Sequence, residues 1–397
     1  MLELDHKKTQ ALLYLRMTDI IFRPRSEFFE ESELPRWWKT VDRWSLFSLV
    51  GLFLSGLLLG MAASAPLAEA NGQQAFYYVN RQFMYGTFSF TCILGLSILS
   101  VQENRRIALI GFLVTFILLC ALPIWGTDHG KGAVRWLSFF GFSLQPSEFL
   151  KPFFVVAIAW AISAGQKDKN IPGTAISFII TLLIVSLLVM QPDFGQAALF
   201  LSIWTIVYFV SGASYRLLVG FTFLTLIGGF MAYINSEHFA RRIDGFLSPD
   251  VDPRTQLGFA TNSIQEGGLF GVGLGEGVIK WRLPDAHTDF IIAVAAEEYG
   301  VLICILIIIF FIIIVVRSLI LLLDERDYFV RNCGVGSISF FAFQAIINLG
   351  VSVRLLPAKG MTLPFISYGG SSLIASGFLM GLLLACTRRR PQGNVNQ

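Results

Sequence analysis

Charge is what this sequence has least of. Its 30 basic and 27 acidic residues make up 14% of 397 positions, against 54% hydrophobic residues, and the mean hydropathy is +0.65. Soluble domains carry about 25% charged residues, so a water-soluble globular class is excluded. A formal net charge of +3 gives no ground for a nucleic-acid partner. Cys92, Cys120, Cys304, Cys333 and Cys386 lie in or at the ends of apolar runs without any CxxC spacing. That excludes a disulfide framework and a sequence-local thiolate metal site. His6, His129, His238 and His287 are too scattered for a structural zinc motif. Internal repeats, low-complexity tracts and a second soluble domain are missing, and the inverted repeat of many transporters is not evident.

Long apolar runs fill the chain instead. Crossing about 30 Å of hydrocarbon takes roughly 20 apolar residues. Candidate runs centre near residues 45–66, 84–101, 106–125, 147–164, 172–190, 195–211, 215–234, 289–316, 332–352 and 367–387. They lack period-two alternation, so helices are expected and a membrane barrel is not. The expected fold is an all-α integral membrane protein, a polytopic bundle of about ten transmembrane helices. Tails at 1–44 and 388–397 flank a ten-helix domain at 45–387, with a long extracytoplasmic loop (235–288) between helices 7 and 8. Alternating the spans from a cytoplasmic N-terminus puts nineteen of the thirty basic residues inside, including those of "ENRR", "QKDKN", "DERDYFVR" and "TRRRPQ". This satisfies the positive-inside rule with both termini cytoplasmic. The first 44 residues are charged and contain Pro24 and Pro35, so the first span is expected to be an uncleaved anchor. Trp37, Trp38 and Trp44 read as an interfacial belt.

Polar residues gather on the predicted outer face, in 126–146, 235–288 and 353–366, and long ordered loops are usually functional. Arg135 and Trp136 precede Pro146, Ser147 and Glu148, which open a helix with Lys151 one turn later. Glu148 serves there either as a partner of the helix dipole or as part of a site. Asp193 in "QPDFG" repeats the device, and helix capping is its favoured reading. Arg241 and Arg242 suit either a solvated face or an anionic headgroup or diphosphate. "GGLFGVGLGEG" (267–277) follows no strand, so a nucleotide fingerprint fits poorly. A flexible loop or a close backbone approach to substrate is expected instead.

The stretch "LPDAHTDFIIAVAAEEYG" (283–300) differs from these. Asp289 falls at the expected first turn of the eighth span, where the helix dipole favours its charge and burial opposes it. Glu297 would lie about 12 Å further along one continuous helix, with Ala293, Ala295 and Ala296 leaving room between them. Ionisable groups inside a span are costly and functional by default. For Glu297 and Glu298 a structural ion pair with Arg or Lys from another helix is the alternative.

These motifs together resemble the SEDS family, the FtsW and RodA proteins of bacterial cell-wall synthesis. "RWL" with "QPSEFLK", "QPDFG", "RRIDGFLSPDVDP", "GGLFGVGLGEG", "LPDAHTDFIIAVAAEEYG" and "NLGVSVRLLPAKGMTLPFISYGGSS" stand in family order across about residues 45–387. "LLPAKGMTLPFISYGGSS", the "GTDHGKGAVRW" loop and the basic N-terminal tail look more like the septal branch than the elongation branch. Asn262 and Ser263 depart from the Gln residues common before the glycines, and Ile292 stands where an aromatic is common. The resemblance implies an inverting peptidoglycan glycosyltransferase that polymerises lipid II into β-1,4 glycan on the outer face of the inner membrane and releases undecaprenyl diphosphate. A base must take the acceptor hydroxyl proton, and the leaving diphosphate needs positive charge. Asp289 matches the family's catalytic Asp and is the expected base. Arg135, Lys151, Arg242 and Lys359 are expected to hold diphosphate or sugar, Trp136 to pack against substrate, and Glu148, Asp193 and Glu297 to orient cations or shape the cavity. A divalent cation such as Mg or Mn could share the diphosphate, although no ligand cluster identifies one. The implied partners are lipid II, a cognate monofunctional class B penicillin-binding protein, other divisome proteins and membrane lipids. A lipid II flippase, an elongation-type polymerase and a scaffold for the transpeptidase are the competing readings.

Overall fold

The structure is a computed structural model that describes residues 33–70, 72–74, 76–128, 134–139, 142–212, 215–248, 255–357 and 360–389. Residues up to Thr40 form a unit of their own, in which α1 (Glu33–Thr40) sets the Trp37 and Trp38 rings 6.0 Å apart.

The unit from Val41 onward is the bundle. Its longer helices are α2 (Arg43–Ala70), α3 (Tyr77–Ile98), α4 (Val101–Trp125), α5 (Pro146–Lys167), α6 (Gly173–Met190), α7 (Phe194–Val210), α8 (Tyr215–Asn235), α12 (Val301–Leu323), α13 (Tyr328–Ser352) and α14 (Gly370–Thr387). Seven of these are long and apolar enough to cross a membrane on length and composition alone, and α7 is a shorter apolar helix. The chain is a polytopic helical membrane protein. Their starts follow from local chemistry. Asp42 Oδ2 accepts from Ser45 N at 3.1 Å, Ser100 and Glu103 form a reciprocal capping box on α4, Pro146 opens α5, and Asp327 caps α13.

Helices α5, α13 and α14 form the interior, while α4, α6 and α12 leave much of their apolar surface outward. Phe154, Phe200 and Phe340 close the centre, with ring centroids 4.9–6.2 Å apart. Helix α14 crosses α3 through small residues. A Cβ placed at Gly377 would lie 2.4 Å from Ser89 Oγ, and one at Gly381 would lie 3.0 Å from the Cys92 carbonyl oxygen.

The turns predicted to carry the basic residues meet at one end of the bundle. Arg317 Nη2 donates to Asp42 Oδ1 at 2.8 Å, Arg388 Nη1 to the Ser97 and Ile98 carbonyls, and Gln166 Nε2 to the Ser211 carbonyl, while Lys167 faces Asp327 at 3.8 Å. Every group singled out for chemistry whose side chain is described lies away from this end.

Two features depart from the expected ten plain helices. Residues 126–146 contain an antiparallel sheet, β1 (Thr127–Asp128), β2 (Val134–Phe139) and β3 (Phe142–Leu144), with Thr127 opposite Trp136 and Leu137 opposite Leu144. The branched and aromatic "VRWLSF" run favours a strand, and Leu137 turns inward. The second departure lies in the eighth apolar segment, which is not one helix. It splits at Gly300 (φ 78°) into the nine-residue α11 (Ile291–Tyr299) and α12. The first of these begins only at Ile291, so Asp289 precedes the helix rather than standing in its first turn, and Glu297 follows within that same short helix, ahead of the break. The long loop itself holds α9 (Glu237–Leu247), α10 (Gln256–Gly267) and a 3₁₀ turn at Ile279–Trp281.

Replacing Gly377 with Val is expected to cost about 1–3 kcal/mol through overpacking against Ser89, lowering the unfolding midpoint in detergent. Gly95→Ala, where nothing lies within 4 Å of the added carbon, should leave it unchanged.

Candidate active site

Helix α5 begins with Pro146 and at once buries two charges. Lys151 Nζ donates to Glu148 Oε1 at 2.7 Å, and these side chains are only 3% and 7% exposed. The pair is extended from both sides. Gln196 Nε2 on α7 donates to the same Glu148 oxygen at 2.8 Å, and Lys151 reaches Gln344 Oε1 on α13 at 3.2 Å. The Gln344 amide nitrogen then donates to the Thr362 carbonyl at 3.1 Å, and Thr362 Oγ1 lies 2.6 Å from Ser372 Oγ. A continuous polar chain thus joins α7, α5, α13, the 360–369 segment and α14.

One helical turn beyond Gln344, Asn348 spends both donors of its amide on that segment and on the Asp289 turn. It bonds the Asp289 carbonyl at 2.9 Å and the Met361 carbonyl at 2.6 Å. Ser367 Oγ donates to the Thr288 carbonyl at 2.5 Å, and Tyr368 N to the His287 carbonyl at 2.9 Å. Asp289 is half-buried, and its carboxylate lies against the turn at Gly360 (φ 60°), where an added Cβ would sit 3.4 Å from Oδ2. Tyr78, His287 and Tyr368 flank the turn with ring centroids 5.3–6.2 Å apart, and Arg81 lies 5.4 Å from the Tyr77 ring centroid. Burial pushes the Tyr368 hydroxyl up to about 12, so it stays protonated at neutral pH.

Strand β2 carries Arg135 onto the turn before α7. Its Nη2 donates to the Pro192 carbonyl at 2.6 Å, its Nε to the Gln191 carbonyl at 3.3 Å, and Nε stands 3.7 Å from Asp193 Oδ2. Asp193 also caps α7 through Gln196 N at 3.4 Å. Burial raises its carboxyl above the ordinary carboxylate range, with Arg135 opposing. Arg135 and Asp193 are thus brought together, as are Glu148 and Lys151, with Gln196 bridging the two pairs.

Glu297 sits elsewhere. Its Oε1 accepts from Ile279 N at 2.7 Å and its Oε2 from Lys280 N at 3.1 Å and Ser263 Oγ at 3.3 Å. Glu298 pairs with the buried Lys280 ammonium. Both carboxylates hold the loop of residues 268–281 to α11, and neither touches Arg135 or Lys151 in the contacts of this site. Of the glycines in 267–277, Gly267 and Gly271 approach backbone closely, and that backbone is Ala296–Tyr299. Lys359 lies outside the described residues, as does the side chain of Arg242 on α9, and Trp136 lies on β2 beside Arg135. Among the described residues, no group of three His, Cys, Asp or Glu side chains is placed to hold a metal ion.

The residues that sequence reasoning missed are the uncharged links Gln196, Gln344, Asn348, Thr362 and Ser372. Amides spaced i, i+4 in the apolar "FQAIINLG" run carry the signal that could have found them.

Residues 43–392 match the family of FtsW, RodA and SpoVE, described as cell cycle proteins. The chain is 40% identical over 363 residues to a probable peptidoglycan glycosyltransferase FtsW of Caulobacter vibrioides, covering 91% of this chain and 93% of that protein. It is 33% identical over 352 residues to stage V sporulation protein E of Bacillus subtilis, covering 85% and 94%. Among solved structures, a chain of a peptidoglycan synthase complex that coordinates polymerization and crosslinking superposes with TM-score 0.71 at 27% identity, over 87% of this chain and 97% of that one. The rod shape determining protein RodA of Thermus thermophilus superposes with TM-score 0.63 at 25% identity, over 87% and 96%. The chain belongs to the FtsW/RodA/SpoVE family.

Glu148→Ala strands the Lys151 ammonium in the interior and is expected to cost about 3–5 kcal/mol of stability. Combining Glu148→Gln with Lys151→Met removes both charges and should recover much of it, as read from unfolding midpoints in detergent.

Proposed function

We propose that this chain is the septal polymerase of its cell wall, an inverting glycosyltransferase that joins lipid II units into β-1,4 glycan on the outer side of the cytoplasmic membrane. The observation that carries the reading is the Asp289 turn. Its half-buried carboxylate stands on a backbone fixed by Asn348, Ser367 and Tyr368, and Gln344 links the same segment to the buried Lys151–Glu148 pair. A base for one proton is thereby held on a braced turn at one end of the bundle, with the buried ion pair supporting it from behind.

In this reading Asp289 accepts the proton of the acceptor 4-hydroxyl as that oxygen attacks the anomeric carbon of the donor sugar from the face opposite its diphosphate. The bond to diphosphate breaks, and its electron pair leaves with undecaprenyl diphosphate. Arg135 keeps 24% of its side chain exposed and, with Arg242 and Lys359, draws the anionic leaving group. Lys151 is nearly inaccessible and acts by ordering Gln344 and Thr362 behind the site, with Glu148 and Asp193 holding the two cations and Trp136 facing the lipid-linked substrate. Glu297 supports the reaction through the loop it anchors. A divalent cation such as Mg or Mn, if it took part, would supply further positive charge to the leaving diphosphate.

Family membership supports a monofunctional class B penicillin-binding protein as partner, together with other divisome proteins, and a location in the inner membrane at the division septum with both termini cytoplasmic. The gathering of Arg317, Arg388 and Lys167 at the end remote from Asp289 favours that orientation.

Purified with its cognate transpeptidase and labelled lipid II, the protein should make glycan chains. Asp289→Ala should reduce this at least about a hundredfold, the scale of a lost general base, with folding and complex formation retained. A flippase would need the charged pathway rather than the base, so Asp289→Asn should leave headgroup translocation across vesicles intact if transport were the activity. Undiminished polymer from the Asp289→Ala protein would reject the assignment.

A further inference from the structure

The loop between α10 and the Asp289 turn carries apolar side chains that the proposed reaction does not use. Leu269, Phe270 and Leu274 are 65%, 77% and 70% exposed, and Val278 and Trp281 are exposed beside them. On a water-facing loop such a patch marks a surface built to be covered.

The loop is rigidly supported. Gly271 N donates to the Gly267 carbonyl at 2.8 Å, Val272 N to the Glu297 carbonyl at 2.8 Å, Gly273 N to the Glu298 carbonyl at 3.2 Å, and Glu276 N to the Gly273 carbonyl at 3.2 Å. Gly271 has φ 82°, and a Cβ there would sit 2.1 Å from the Glu298 carbonyl oxygen, so the backbone lies directly on the end of α11. The Glu297 carboxylate and the Glu298–Lys280 pair fasten it from beneath. With these amides bonded internally, irregular backbone becomes tolerable where water is scarce.

What covers the patch follows from its neighbour. Val301 N, the first residue of α12, donates to the Gly268 carbonyl at 3.0 Å. Helix α12 shows an exposed row of Leu302, Ile305, Ile309, Ile312 and Val316 along its length. Its 23 residues rise about 34 Å, close to the roughly 30 Å of a bilayer's hydrocarbon core. Leu269 and Phe270 therefore continue a lipid-facing surface just past the end of the helix, at the depth where aromatic and aliphatic side chains settle into the headgroup boundary. Trp281 is the residue type enriched there. The exposed charges in and beside the segment, Glu266, Glu276 and Arg282, have water and headgroups within reach at that depth.

We infer that this glycine-rich loop is a bilayer anchor, with Leu269, Phe270 and Leu274 inserted in the outer headgroup–acyl boundary. Because Glu297 and Glu298 tie it to α11, the anchor also sets the height of the Asp289 turn above the hydrocarbon. On the glycosyltransferase reading, that is the height of a sugar linked through diphosphate to a membrane lipid.

The test uses the full chain in vesicles of phosphatidylethanolamine and phosphatidylglycerol, with p-benzoylphenylalanine replacing Phe270, Leu274, Ile309 or Ser138 in turn. After irradiation, lipid adducts are expected at positions 270 and 274 in yields comparable to the lipid-facing control at 309, and none at the exposed strand position 138. Absence of lipid adducts at 270 and 274 while 309 labels overturns the inference, as do adducts formed there only with the transpeptidase when it is added. Labelling requires no glycan synthesis, so failure of the Asp289 assignment and failure of the anchor are read separately.

Discussion

A charge taken out of water must be neutralised close by, and the Lys151–Glu148 pair is where this bundle meets that requirement. Both groups sit in the first turns of α5, a helix buried on all sides from Leu150 to Ala159. In a low-dielectric interior the pair is stable only if its remaining hydrogen-bonding capacity is used. Gln196 and Gln344 use it, and in doing so fix α7 and α13 against α5. The position of the 360–369 segment follows from the far side of Gln344, and that of the Asp289 turn from Asn348 one turn further on. Disturbing the pair would therefore propagate through amides rather than through apolar packing.

The second organising feature is the break at Gly300. A continuous helix through residues 289–316 would have satisfied every backbone group by itself. Interrupting it releases polar groups that must find partners, and the glycine-rich loop supplies them by hydrogen bonding across the end of α11. The break separates two tasks. Helix α12 faces lipid, while the short α11 is buried on nearly all sides and orients the carboxylate-bearing turn before it. Glu297 and Glu298 hold the glycine-rich loop to α11: one caps the 3₁₀ turn, and the other neutralises Lys280.

Much of the fold was legible beforehand, because lipid leaves a chain few options. Runs of apolar residues without alternation become helices, and the clustering of basic residues in alternate turns is matched at one end by Arg317 on Asp42, Lys167 facing Asp327 and Arg388 on the Ser97 and Ile98 carbonyls. The small sheet at 127–144 was not legible, since "VRWLSF" is short and flanked by polar loop residues rather than by a second obvious strand. The ionisable residues of the site could be picked out because a charge among apolar neighbours is conspicuous. Gln344 and Asn348 passed unnoticed because an amide in a helix does not announce whether it meets a lysine or a carbonyl.

The amino-acid sequence by itself determined the helical membrane class and the family, and it singled out the polar segments and Asp289 as candidates, since each of these depends on local composition and on motifs contiguous in the chain. Only the tertiary structure decided that Arg135 meets Asp193, that Lys151 reaches Gln344, and that Glu297 supports a loop instead of a cation. Those pairings join residues far apart in the chain, and partners for buried polar groups are settled by how helices pack, which no local pattern encodes.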